Sequence, residues 1–78
     1  MISVKCFGVA KEIVEGDILH LDQPIDSVKA LRDAIHATYP DFSSIKGFMI
    51  AINHEYATDD MQFNANDELA IIPPVSGG

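Results

Sequence analysis

The sequence predicts an α+β domain in which one amphipathic helix lies across one face of a mixed β-sheet. Two observations support this prediction: apolar residues alternate with period two near both ends of the chain, and they follow a helical spacing between those segments. The chain has 78 residues, which is enough for one domain. A domain of this size buries only about 60% of its unfolded surface, so little room remains for an enclosed active site beside the core.

The first twenty-two residues are predicted to form two strands. Ile2, Val4 and Cys6 share one side of the first strand, which places the Cys6 thiol on the buried face. Residues 17–22 alternate again and form the second strand. The segment from Gly8 to Gly16 between them is predicted to be a loop or a short helical turn, so the two strands can form a hairpin.

The central part of the chain is predicted to be the helix. Asp26 or Ser27 can cap its N-terminus, and Tyr39 ends it because a residue before proline avoids helical geometry. The spacing of one helical face is met by Val28, Leu31, Ile35 and Thr38.

Three further strands are predicted after the helix. Residues 41–47 are interpreted as a connector, residues 48–53 as a strand, and a turn at Asn53-His54 leads to a short strand through Tyr56. The last strand runs from Leu69 to Ile72. The order strand, strand, helix, strand, short strand, strand is that of a β-grasp fold, in which the first and last strands pair at the centre of the sheet.

One face of this sheet is not covered by the helix. Phe7, Tyr56 and Ile72 are apolar residues that the alternation or their neighbourhood sends to that outer face. A contiguous exposed apolar patch usually marks an interface, whereas scattered exposed apolar residues are common on any protein. The pattern alone leaves both interpretations open.

The C-terminus is the most informative segment of the chain. We divide the chain into a domain, residues 1–72, and an extended tail, residues 73–78, which reads Pro73-Pro74-Val75-Ser76-Gly77-Gly78. The two prolines end the strand and favour a stiff, extended backbone. The two glycines have no Cβ and can enter a channel too narrow for side chains. The tail therefore predicts chemistry at the α-carboxylate of Gly78, although a frayed end or a cloning scar would also end in this way.

Charge and composition exclude several classes of function. The formal net charge is −7, which repels nucleic acid; it suits a basic protein partner, or serves only solubility. We expect a soluble, cytoplasmic protein, since the sequence has neither a signal peptide nor an apolar run of membrane-spanning length. Cys6 is the only cysteine, and His20, His36 and His54 are spread over strand, helix and turn. We therefore predict no metal site, no bound cofactor and no catalytic group other than Gly78.

Nearly the whole chain resembles the small subunits of molybdopterin synthase, which are sulfur carriers of the ubiquitin-like β-grasp superfamily. The residues that carry the resemblance are Val9-Ala10-Lys11-Glu12-Ile13-Val14, Ser27-Val28-Lys29-Ala30-Leu31-Arg32, Ala51-Ile52-Asn53, Asp67-Glu68-Leu69-Ala70 and Pro73-Pro74-Val75-Ser76-Gly77-Gly78. The diproline before Val-Ser-Gly-Gly is the most specific of these segments. Asn66 stands where the family often has glycine, and asparagine can adopt the same turn conformation.

The resemblance implies a reaction at Gly78. An activating enzyme related to ubiquitin E1 would use ATP and magnesium to join the Gly78 carboxylate to AMP, and a sulfur donor would displace AMP to leave a thiocarboxylate. The tail would then enter the large subunit of molybdopterin synthase, where its sulfur attacks cyclic pyranopterin monophosphate. The chain would donate sulfur without being a catalyst by itself.

The resemblance also assigns partner contacts and an assembly. Phe7, Tyr56 and Ile72 match the family's hydrophobic docking patch, and Lys11 matches a basic position that pairs with an acidic residue of a partner. Two small and two large subunits would form a heterotetramer. Three alternatives remain open from the residues: a carrier for thiamin or tRNA thiolation, a ubiquitin-like protein modifier, and an interaction module whose diglycine is idle.

Overall fold

A computed structural model describes residues 2–45, 47–64 and 66–74. Its elements, in chain order, are β1 (Ile2–Cys6), α1 (Val9–Val14), β2 (Ile18–Leu21), α2 (Val28–Thr38), a 3-10 helix (Pro40–Ser44), β3 (Met49–Ile52), β4 (Glu55–Ala57) and β5 (Leu69–Ile72). The order predicted from the sequence is confirmed. The segment from Gly8 to Gly16, predicted as a loop or a short helical turn, contains the six-residue helix α1.

The five strands form one mixed sheet in the order β2-β1-β5-β3-β4. β1 and β5 are parallel, with Val4 opposite Leu69 and Cys6 opposite Ile71, and the other three pairs are antiparallel. The predicted pairing of the first and last strands is therefore confirmed. Because β5 is the middle strand, the chain leaves the sheet from its centre when this strand ends at Ile72.

The helix α2 covers one face of the sheet through its apolar stripe. Val28, Leu31 and Ile35 are fully buried, and the Ser27 hydroxyl accepts a hydrogen bond from the Ala30 N–H at 3.2 Å. Ser27, and not Asp26, is thus the cap. The placement of Thr38 on the buried face was wrong: Thr38 is exposed, since it is the last residue of the helix and lies at the edge of the stripe.

The predicted connector after the helix contributes to the core. It overlaps the 3-10 helix, in which Phe42 is fully buried. The ring of Phe42 packs against that of Phe48, with the two centroids 5.5 Å apart. This burial was not predicted, because one apolar residue among polar neighbours forms no periodic pattern. The longest helix, α2, has 11 residues, and among the described residues no helix could span a membrane.

The β3–β4 hairpin turns at Asn53 and His54, as predicted. Both residues have positive φ, 51° and 72°, and Ile52 pairs with Glu55 on either side of them. A two-residue loop with positive φ at both positions matches the right-handed twist of the strands. This turn fixes which residues of β4 face away from the core.

Candidate functional site

The strand register brings one row of side chains together on the face opposite α2. Ala51 of β3 pairs with Ala70 of β5 and with Tyr56 of β4, while Lys5 of β1 also pairs with Ala70. Paired residues share a face of the sheet, so these four residues form one row across it. Ile72 and Phe7 lie farther along their chains on the same side.

This face contains an open groove with a volume of about 330 Å³. Its floor is formed by Ala51 and Ala70, whose small side chains are only 3% and 9% exposed because larger neighbours stand beside them. Its walls include Phe7, Tyr56 and Ile72. Phe7 is 49% exposed and Tyr56 64% exposed, and Ile72 is half-buried. The three residues predicted for the outer face therefore line one contiguous surface, which we call the outer-face groove.

Charged side chains stand at the border of the outer-face groove. Glu68 Oε2 lies 3.3 Å from Lys5 Nζ and 3.3 Å from His54 Nε2. Both pairs are solvent-exposed, so each contributes little to stability. The single carboxylate pairs with Lys5, so the apolar surface has a polar border, as is typical of protein interfaces.

Lys11, the predicted basic contact, lies outside the outer-face groove. It is on α1, and its Nζ is 2.9 Å from Asp17 Oδ1. It lines a second depression together with Phe7, Ile18 and Asp17, so Phe7 stands between this depression and the outer-face groove. The predicted contact residues Phe7 and Lys11 therefore line one depression, in which Lys11 pairs with Asp17.

The tail begins beside the outer-face groove. Pro73 is half-buried and Pro74 exposed immediately after β5. The predicted tail residues Val75, Ser76 and Gly77, and the predicted reactive residue Gly78, lie outside the described residues. The structure thus gives the position from which these residues start, at the C-terminal end of the middle strand.

The remaining titratable candidates do not converge on a catalytic arrangement. Cys6 is 3% exposed, and burial raises the pKa of its thiol, which favours the protonated, less nucleophilic form. His20 lies on β2, with its Nδ1 3.2 Å from the Ser3 hydroxyl. His36 lies on α2 and packs against Phe48, and His54 lies in the β3–β4 turn. Across residues 2–45, 47–64 and 66–74, no three metal-ligating side chains are grouped for an ion.

Sequence reasoning did not identify the floor and the charged border of the groove. Ala51 and Ala70 carry a weak signal, because they occupy outward positions of strands otherwise rich in large apolar residues. Lys5 and Glu68 are 63 residues apart and carry none. Their contact follows from the parallel pairing of β1 with β5, which brings the two ends of the chain together.

The fold and the site together define a class: a ubiquitin-like β-grasp domain with the outer-face groove beside the end of β5. The crystal structure of SAMP1 from Haloferax volcanii superimposes with a TM-score of 0.80 at 29% identity, covering 99% of this chain and 98% of that one. A second structure, of small archaeal modifier protein 1 from H. volcanii, gives a TM-score of 0.79 at 26% identity, covering 95% and 97%.

The particular family follows from sequence. The chain belongs to the ThiS family, whose model matches residues 4–78. The molybdopterin synthase sulfur carrier subunit of Dictyostelium discoideum is 41% identical and aligns over 92% of this chain and 90% of its own length. The protein of the same name from Arabidopsis thaliana is 35% identical, over 99% and 82%.

Proposed function

We propose that this chain is the sulfur carrier subunit of a molybdopterin synthase. Relatives of that name align over nearly its whole length, and the matched family segment extends to Gly78. The observation that carries the proposal is the outer-face groove beside the end of β5. A carrier must dock on a partner and insert its C-terminus, and here the docking surface and the start of the tail adjoin at Ile72 and Pro73.

The chemistry that we propose takes place at the Gly78 carboxylate. Its oxygen attacks the α-phosphorus of ATP on an activating enzyme, pyrophosphate leaves, and the acyl-adenylate forms. A donor of sulfide-level sulfur then transfers HS⁻ to the acyl carbon and AMP leaves, which gives the thiocarboxylate. This chain supplies only the acyl group and carries the sulfur, whereas ATP and magnesium are bound by the activating enzyme.

The second stage needs a large subunit. We propose that the outer-face groove binds this subunit and that the tail reaches its active site, where the thiocarboxylate sulfur attacks cyclic pyranopterin monophosphate. Water then cleaves the bond between this sulfur and the Gly78 acyl carbon, which leaves the sulfur on the pterin and restores the Gly78 carboxylate. Two rounds supply the two sulfurs of the dithiolene. A heterotetramer of two small and two large subunits fits this scheme, in which each carrier occupies one active site. The same groove would serve the activating enzyme in turn, so the two partners would exclude one another.

Reconstitution tests the specific assignment. The thiocarboxylated chain is mixed with a molybdopterin synthase large subunit and the pyranopterin precursor, and molybdopterin is assayed. The matched control is the chain without Gly78, which keeps the folded domain and is expected to give no product. If the full-length thiocarboxylate also gives no molybdopterin, the assignment to molybdopterin synthase is wrong. A carrier for thiamin or tRNA thiolation then becomes the better hypothesis.

A second candidate function is protein modification, which is favoured by the similarity to the structure of small archaeal modifier protein 1. In that case Gly78 would form an isopeptide bond with lysines of target proteins. Intact-mass analysis of the protein from cells separates the two functions. A carrier gives free chain in which one carboxyl oxygen is replaced by sulfur, whereas a modifier gives a ladder of conjugates. An interaction module with an idle diglycine gives neither, and loss of Gly78 would leave its cellular role unchanged.

A further inference from the structure

Gly8 and Pro73 lie next to each other where β1 and β5 end. Cys6 is opposite Ile71 in the parallel ladder, so the residues two positions farther along both chains lie side by side. A Cβ placed on Gly8 would be 3.5 Å from Pro73 Cγ, which is ordinary van der Waals contact. Pro73 Cγ thus lies beside Gly8, on the side where an L-residue would carry its Cβ.

The backbone of Gly8 has a conformation that L-residues disfavour. Its φ is 57° and its ψ is −132°, and the Ala10 N–H donates to the Phe7 carbonyl at 3.1 Å. These angles and this hydrogen bond are those of the first central position of a type II′ turn, which glycine and D-residues favour. An L-residue at this position would shift the turn toward another type and displace the backbone on both sides of it.

Pro73 depends on this packing more than an ordinary residue would. It has no N–H and therefore cannot continue the hydrogen-bonded ladder of β5. Phe7, the residue before the turn, is a wall of the outer-face groove. This turn therefore positions both Phe7, a wall of the outer-face groove, and the backbone beside which Pro73 lies.

We propose that Gly8 is a positioning residue that fixes the direction in which the chain leaves β5 at Pro73, and through it the delivery of the C-terminal carboxylate to a partner's active site. The proposal rests on the proposed carrier function. It predicts that a change at Gly8 affects the turnover of the docked complex more than its formation, because misplacement of a reacting group costs rate even where docking is intact.

The test compares the two mirror-image alanines, since a chain of this length can be made by chemical ligation. Gly8→L-Ala is expected to lower kcat for adenylation of the tail about 10- to 100-fold while KM stays near the wild-type value. Gly8→D-Ala adds the same number of atoms but keeps positive φ, so it is expected to retain the wild-type kcat. Circular dichroism melting of each variant checks that the measured protein is folded.

A structural readout accompanies the kinetics. Nuclear Overhauser contacts between the α-protons of residue 8 and the ring protons of Pro73 are expected in the wild type and in the D-alanine variant. The L-alanine variant is expected to lose them. A folded L-alanine variant with unchanged kcat would overturn the proposal, as would a D-alanine variant as slow as its mirror image. A wild-type chain that no activating enzyme adenylates would overturn the proposed function itself, and the positioning role would fall with it.

Discussion

Asn53 and Glu68 are joined by two hydrogen bonds that tie the β3–β4 turn to the start of β5. The Asn53 N–H donates to the Glu68 carbonyl at 2.7 Å, and the Glu68 N–H donates to Asn53 Oδ1 at 2.9 Å. Asn53 does this with a φ of 51°, a conformation that asparagine tolerates better than most L-residues. The Glu68 carboxylate is thereby held at the border of the outer-face groove.

Substitutions at Asn53 separate its side-chain hydrogen bonds from its backbone conformation. Asn53→Gly removes the side chain but keeps positive φ, and we expect it to lower the free energy of unfolding by about 1 kcal/mol. Asn53→Ala also strains the turn and is expected to cost about 1 kcal/mol more. Urea denaturation measures both. Equal losses in the two variants would contradict a role for the backbone conformation.

Asp67 makes stability depend on pH in the acidic range. The Asn64 N–H, donating at 2.8 Å, and then the Asn53 amide lower the pKa of this carboxyl below its ordinary 3.8. A lowered folded-state pKa contributes stability that is present above the unfolded-state pKa and is lost as pH falls through the folded-state value. We expect the free energy of unfolding to decrease as pH falls below 3.8. The free energy of unfolding of Asp67→Asn, measured by urea denaturation at each pH, is expected to decrease less than that of the wild type as the pH falls below 3.8.

The Ser27 cap is expected to contribute measurably to the stability of α2. Ser27→Ala leaves the Ala30 N–H without its side-chain acceptor and is expected to cost about 1 kcal/mol. Ser43→Ala is the matched control, because Ser43 is exposed in the 3-10 helix. Thermal unfolding followed by circular dichroism compares the two. A Ser27 variant as stable as the control would show that another group satisfies the helix end.

Neighbouring isoleucines of β5 separate binding from folding. Ile72→Asp places a charge in the outer-face groove and is expected to weaken binding to the large subunit at least about 10-fold while the domain stays folded. Ile71→Asp buries the same charge in the core, where Ile71 is fully inaccessible, and is expected to cost more than about 4 kcal/mol. Calorimetric titration and urea denaturation are the measurements. Unfolding of the Ile72 variant would mean that the two faces of β5 are assigned the wrong way round.

The Cys6 thiol is expected to take no part in sulfur transfer. It is buried and its pKa is raised by that burial, so a thiol reagent should modify the native protein slowly and the rate should rise with urea in step with unfolding. Cys6→Ala should leave thiocarboxylate formation at the tail unchanged. Fast labelling of the native protein, or loss of thiocarboxylate in a folded Cys6 variant, would reopen a catalytic role for this residue.

Much of the fold could be predicted from local pattern. The buried face of β1, most of the apolar stripe of α2, and the central pairing of the first and last strands all followed from periodicity and element order. The sequence left Asp26 and Ser27 open as the cap of α2, and only the structure decided between them. Phe42 could not be predicted, because its burial comes from the way the 3-10 helix folds back under the core rather than from any repeat around it.

The sequence by itself predicted the five strands, the helix α2 and the family, and it indicated the terminus at which we propose the chemistry. These properties are local, since they depend on side-chain spacing along a helix or strand and on the residues at the end of the chain. Only the tertiary structure decided that Ala51 and Ala70 form a groove floor, that Glu68 neutralises Lys5, and that Pro73 lies beside Gly8. Each of these contacts joins residues far apart in sequence, and the register of β5 between β1 and β3 brings them together.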